Sequence, residues 1–141
     1  MNTSEDKIQI FRALPKLSPY LEFGKVAKAV ELYAQDADTY RVQIIELDRG
    51  KSFEPHIHVS DHIIYCLDGN GKINIWNHEE ENPIKVIKSS KKSYPFSRGD
   101  LAILPKNVIH AFEASEQEYL KEMIINIPGI SLHDERRIVW V

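Results

Sequence analysis

Between Gly50 and Gly69 the chain reads GKSFEPHIHVSDHIIYCLDG, and three histidines fall within seven residues of it. His56 and His58 are two apart. Side chains at that spacing share one face of a β-strand. On an α-helix of about 3.6 residues per turn they would diverge by about 160°. Imidazoles that act together at this spacing therefore need extended backbone. His58 and His62 are four apart, a spacing that suits a helical zinc pair. The intervening VSD carries turn residues, however, and the HIIYCL that follows is β-rich. Two extended segments joined by a tight turn, with His62 opening the second, let all three imidazoles converge. Pro55 cannot donate to a ladder and fits a strand start or bulge.

The rest of the chain repeats the strand signal. VAKAVELY and TYRVQIIEL are rich in β-branched and aromatic residues, with AQDAD as a turn between them. HIIYCL reads as ending at a DGNG turn. KINIW then places Ile73 and Ile75 on one face and Lys72, Asn74 and Trp76 on the other. IKVIK, DLAILP, VIHAFEA and YLKEMIINI complete the set. Helical signal is weak. PKLSPYLEF holds at most a short helical turn, and SLHDERRIVW could begin a helix capped by Ser131. Many short strands punctuated by Gly, Pro, Asn and Asp predict an all-β sandwich or barrel. Residues 77–99 are acidic and then basic, and read as an elongated hairpin with solvated tips. A lid or a partner contact is the lesser reading.

The 141 residues suit one domain with a real core. A net charge of −3 argues against a nucleic-acid footprint. The single cysteine, Cys66, excludes an intramolecular disulfide and fits a reducing compartment. The first twenty residues lack the apolar core of a signal peptide. No apolar run approaches the ~20 residues of a membrane helix. A cytoplasmic protein with no membrane or nucleic-acid partner is expected.

At the histidines, two short patterns resemble those of the cupin superfamily. The first cupin motif runs glycine, five residues, His-x-His, three or four residues, glutamate, six residues, glycine. Gly50, His56, His58, His62 and Gly69 reproduce its spacing, with His62 in the glutamate's place. The second runs glycine, five residues, Pro-x-Gly, two residues, histidine, three residues, asparagine. Gly99, Pro105, Asn107, His110 and Ala114 follow its skeleton. Asn107 replaces the middle glycine, and Asn tolerates left-handed backbone. Ala114 replaces the asparagine and loses its hydrogen bonds.

The resemblance implies a double-stranded β-helix, or jelly-roll barrel, in a single domain spanning residues 1–141. Residues 1–25 would form an N-terminal extension and edge strands. Residues 50–69 would be the first motif, 70–98 an inter-motif hairpin, 99–114 the second motif, and 115–141 closing strands and a tail. It also implies one divalent transition metal held by His56, His58 and His110, with His62 as a fourth ligand, and a homodimer. An all-imidazole set disfavours magnesium and calcium, which prefer oxygen. It does not separate iron, manganese, copper, nickel and zinc. Four neutral ligands leave the ion's full charge, which favours an anionic or chelating substrate. A closed tetrahedral zinc serving only the fold is the alternative for the site.

Alternation puts Ile64 and Cys66 on the face of His62, and Phe112 on the face of His110, so these three could line a pocket. Tyr65 should face outward. Arg41 and Glu46 have opposite parity, and the sequence does not say which faces in. Asp61 sits in the turn between histidines and is either solvated or a support for one of them. His78 and His133 read as surface residues. The functional expectation is a metal-dependent enzyme on a small molecule, leaning towards a dioxygenase or other oxidoreductase. An isomerase or lyase acting on a sugar acid or keto compound is the alternative, as is a non-catalytic binding module.

Overall fold

The computed structural model describes residue 10 and residues 18–19, 27–33, 40–127 and 139–140. Its strands in chain order are β1 (Ser18–Pro19), β2 (Ala27–Tyr33), β3 (Arg41–Leu47), β4 (Asp61–Trp76), β5 (His78–Glu79) and β6 (Asn82–Val86). After a 3-10 turn at Lys88–Ser90 come β7 (Lys92–Ser97), β8 (Leu101–Leu104), β9 (Ile109–Ala114), β10 (Leu120–Ile127) and β11 (Val139–Trp140). No α-helix occurs among the described residues.

β4 organises the fold. Its first half lies between β10 and β8, with Ile64 opposite both Ile124 and Ala102. Its second half lies between β7 and β9, with Ile73 opposite both Tyr94 and Phe112. β10 leads on to β3, β2 and β1. Two antiparallel sheets thus share one bent strand and close over one core as a jelly-roll barrel. That core joins Ile45, Leu47, Ile64 and Leu120 of the first sheet to Phe96, Phe112 and Ala114 of the second.

The DGNG segment is not the turn that its composition suggests. β4 runs through it unbroken, and the glycines serve close approach. A Cβ at Gly69 would lie 1.8 Å from the Tyr119 carbonyl oxygen, and one at Gly71 would lie 2.1 Å from that of Glu113. Gly69 also sits at φ +87°, which disfavours any side chain. Past the bend, alternation does not separate a dry face from a wet one. Ile73, Asn74 and Trp76 are all buried, and Asn74 accepts a 2.6 Å hydrogen bond from the Ser93 hydroxyl.

β5 and β6 pair with each other as a short hairpin, and β7 then returns along β4, from Lys92 opposite Ile75 to Ser97 opposite Asn70. β11 adds to β6 in parallel, and Trp140 meets Trp76 edge to face. The end of SLHDERRIVW is therefore strand rather than helix. Ser131, His133 and the rest of that stretch lie outside the described residues. So does AQDAD. Of PKLSPYLEF, only Ser18 and Pro19 are described, as a strand on β2 rather than a helical turn.

Candidate metal centre

His56 and His58 sit on an extended segment that runs antiparallel to β9. Phe53 N–H donates to the Phe112 carbonyl, and His56 and His110 exchange backbone hydrogen bonds, all at 3.0 Å. The third and fourth imidazoles come from β9 (His110) and from the second position of β4 (His62). The loops carrying them are tied together. Asp61 Oδ1 accepts the Lys106 amide at 2.8 Å, and the Asn107 amide donates to the His58 carbonyl at 2.9 Å. Asn107 makes this turn at φ +68°, the left-handed region that Asn tolerates. Asp61 therefore braces the approach to the site rather than a histidine ring.

The four rings converge. Centroid separations are 4.7 Å for His56–His58, 4.4 Å for His56–His110, 4.4 Å for His58–His62 and 5.1 Å for His62–His110. One nitrogen from each of His56, His58 and His110 lies within 4.8 Å of the others. His62 packs against this trio, but it is not part of that tightest set. All four histidines are buried, His56 and His58 keeping 8% and 9% exposure.

The tautomers follow from hydrogen bonding. His56 Nδ1 lies 2.8 Å from the Glu54 carbonyl, and His110 Nδ1 lies 2.9 Å from the Val108 carbonyl. A carbonyl can only accept, so each Nδ1 carries the proton and each Nε2 keeps its lone pair. A partner that fixes the far nitrogen is what a metal-binding imidazole requires. His110 Nε2 and both ring nitrogens of His62 are buried without a hydrogen-bond partner. Buried polar atoms are rarely left so unless something else completes them.

Protonation points the same way. Burial lowers His56 and His62 to a pKa of about 4, and lowers His58 and His110 well below the ordinary imidazole range; charge on neighbouring imidazoles adds to the effect at His58, His62 and His110. The cluster is neutral at pH 7, the ligating form. The donor set, its tautomers and its unpartnered nitrogens fit one divalent transition metal.

The surroundings are aromatic and apolar on one side. Phe112 lies 5.6 Å from His110 and Phe53 lies 6.4 Å from His56, ring to ring. Ile64 is fully buried beside His62 along β4. Cys66, one step further, is also fully buried; its thiol donates to the Asp68 carbonyl at 3.4 Å, and burial pushes its pKa to about 11. Tyr65 faces outward, 39% exposed. The half-buried His78 has its Nδ1 2.8 Å from the neighbouring Glu79 carbonyl. Two surface clefts of about 650 and 300 Å³ lie near the bend of β4, and no histidine lines either.

Comparison with known proteins agrees. The cupin family model matches residues 35–126. The chain belongs to the cupin family. Acireductone dioxygenase 1 of Physcomitrium patens is 35% identical over 71 residues, which are 50% of this cupin and 32% of that protein. The acireductone dioxygenase of Homo sapiens is 31% identical over 71 residues, with 50% and 35% covered. This cupin thus spans only about a third of the length of those relatives. A cupin-2 domain from Rhodospirillum rubrum superposes with a TM-score of 0.68 over 94% of this chain and 82% of its own, at 16% identity, a likeness of fold.

Four polar residues that sequence reading left unplaced also face the interior. Arg41, Gln43, Glu122 and Asn126 are buried. Glu46 has the opposite parity on β3 and is only half-buried, so of the two it is Arg41 that faces in.

Proposed function

We propose that this cupin is a metal-dependent enzyme acting on a small anionic or chelating molecule, in the manner of a dioxygenase. The observation that carries the reading is the neutral, tautomer-fixed cluster of His56, His58 and His110. The similarity of half the chain to acireductone dioxygenases supports it. A divalent ion held there would supply Lewis acidity to a chelating substrate and a place for dioxygen beside it. Phe53, Phe112 and Ile64 would exclude water from that chemistry. His62 is proposed as the fourth ligand, because both its ring nitrogens are buried without a partner and its ring lies 4.4 and 5.1 Å from those of His58 and His110.

The isomerase or lyase alternative needs a protein base at the site. Asp61, whose charge is felt at His62, is exposed and already holds the Lys106 amide. No buried carboxylate touches the cluster among the described residues. Oxygen uptake with enediols and 2-oxo acids, on protein loaded with iron, manganese, copper or nickel, tests the proposal. Turnover under strict anaerobiosis would overturn the dioxygenase reading. A His62→Ala protein with full metal occupancy and unchanged coordination would overturn the fourth ligand.

A homodimer is part of the proposal. The outer face of the first sheet carries two uncharged, largely apolar rows: Val30–Ile44–Met123–Tyr65–Leu101 and Val42–Ile125–Ile63–Ile103. Leu101 is 60% exposed and Ile103 67%. An uncharged patch of this kind is self-complementary and suits a second copy related by a twofold axis. Ile103→Lys should shift sedimentation from dimer to monomer. A wild-type protein that is monomeric at high concentration would contradict this. The buried thiol fits a reducing, cytoplasmic setting.

A further inference from the structure

His62 differs from two of its neighbours in the cluster. The proton of His56 is fixed by the Glu54 carbonyl and that of His110 by the Val108 carbonyl, each two positions earlier in its own segment. No carbonyl does this for His62, whose two ring nitrogens are both buried without a hydrogen-bond partner. A neutral imidazole carries one N–H and one lone pair. Where the lone pair serves a metal, the N–H needs an acceptor that fixes it. At 4% exposure that acceptor is best supplied by the protein.

The register of β4 and β10 offers one. Asn126 lies directly opposite His62. Opposed residues of an antiparallel pair share a face, with Cβ atoms about 4.5–5.5 Å apart. Asn126 is also 4% exposed, and its Oδ1 is likewise buried without a hydrogen-bond partner. Two neighbouring side chains thus hold complementary unsatisfied groups, an acceptor on one and a donor on the other. The last side-chain torsion of both Asn and His is soft, so rotation lets them meet without moving the backbone. Ser60 is the competing candidate, since its Oγ is buried and unpartnered at the bend before β4. A hydroxyl both donates and accepts, however, and leaves the tautomer open. An amide oxygen only accepts, so it places the proton on the ring.

We infer that Asn126 is the positioning residue of His62. Its Oδ1 accepts the N–H of one ring nitrogen, which holds the ring in one tautomer and leaves the lone pair of the other nitrogen for the metal. β10 contributes no ring to the cluster, but through Asn126 it orients one. The inference rests on His62 as a ligand, proposed above, and adds the group that prepares it.

Nitrogen-15 NMR of the histidine side chains, on metal-free protein near neutral pH, tests the pairing directly. His62 should show a single neutral tautomer. Asn126→Leu should turn it into a mixture of both tautomers and leave His56 and His110 unchanged, and Ser60→Ala should leave all three unchanged. Asn126→Ala gives the same reading if the leucine variant does not fold. Cobalt affinity, read by competition with a chelator, supplies the second measurement. Asn126→Leu should lower it about 10–100-fold, and Asn126→Asp, which still accepts a proton, should keep it at the wild-type level or above. In a His62→Ala background Asn126→Leu should lower it no further, because the two residues act as one unit. A wild-type His62 already present as a tautomer mixture, or a single tautomer that survives loss of the Asn126 amide, would overturn the inference. So would an equal loss of cobalt affinity on Asn126→Leu with and without His62. If His62→Ala alone leaves cobalt affinity unchanged, the fourth ligand falls, and the tautomer measurement still decides the pairing.

Discussion

His56 and His110 hold each other by backbone hydrogen bonds in both directions, each amide 3.0 Å from the other's carbonyl oxygen. Two imidazoles 54 positions apart in sequence, read from their numbers, are thereby fixed 4.4 Å apart without any demand on their side chains. Position and ligation are separable. His110→Ala should keep the bridge and the fold while removing a nitrogen that only a ligand completes. Metal affinity should fall by more than the ~10–100-fold typical of losing a supporting residue, while the melting temperature of the metal-free protein changes little. Competition with a chromophoric chelator measures the first, and thermal unfolding the second. Unchanged affinity would remove His110 from the centre.

The neutral cluster makes stability depend on pH. In the unfolded chain these histidines take up protons near pH 6.5. In the folded, metal-free protein burial delays this, to about pH 4 for His56 and His62 and further still for His58, and it holds His110 well below the ordinary imidazole range. Their contribution is complete above about pH 6.5 and is lost as pH falls towards the folded values. Each histidine adds up to about 1.4 kcal/mol per pH unit within that window. The urea midpoint of the metal-free protein should drop steeply between pH 6.5 and 5. His62→Gln should make the slope shallower. A midpoint flat over this range would mean that the cluster is open to water.

The paired histidines and the two glycine-bounded patterns were legible because strand parity and fixed spacing leave few arrangements. The bend in β4 was not. Asp, Gly and Asn are turn formers, and nothing local reveals that Gly69 and Gly71 are there to admit the carbonyls of Tyr119 and Glu113. Arg41, Glu122 and Asn126 were hidden for a different reason. YLKEMIINI carries apolar residues at both parities, because the outer face of the sheet is apolar as well as the inner one. With Met123 and Ile125 as plausible for the core as Leu120 and Ile124, only register with β3 and β4 decides which set points in.

Glu122 is the interior carboxyl that the proposed chemistry does not use. It is 1% exposed, lies opposite Cys66, and its Oε1 has no hydrogen-bond partner. Burial raises its pKa well above the usual carboxylate range, so the folded state favours the protonated form. The unfolded chain releases that proton near the ordinary value. Stability is therefore fully present below that value and falls as pH rises towards the folded pKa, opposite in sign to the histidines but for one group against four. Glu122→Gln removes the penalty. The variant should match wild type near pH 4 and exceed it increasingly at higher pH, at about 4 °C of melting temperature per kcal/mol gained. A variant less stable than wild type at pH 8 would show that the carboxylate has a buried partner.

The bend offers a test that compares glycines. Gly69 and Gly99 both have positive φ, +87° and +92°. At Gly99 an added Cβ meets nothing within 4 Å, so Gly99→Ala should cost only the backbone penalty of about 1–2 kcal/mol. At Gly69 the same Cβ would overlap the Tyr119 carbonyl oxygen, and a backbone atom cannot swing aside as a side chain can. Moving it would disturb the Asn70 amide, which donates to that carbonyl at 3.1 Å, and the start of β10, whose Leu120 lies opposite Gly69. Gly69→Ala should therefore cost about 3 kcal/mol or more, read as a lower urea midpoint with an unchanged slope. Equal losses at the two positions would mean that φ alone, and not the approach of β10, sets the need for glycine at the bend.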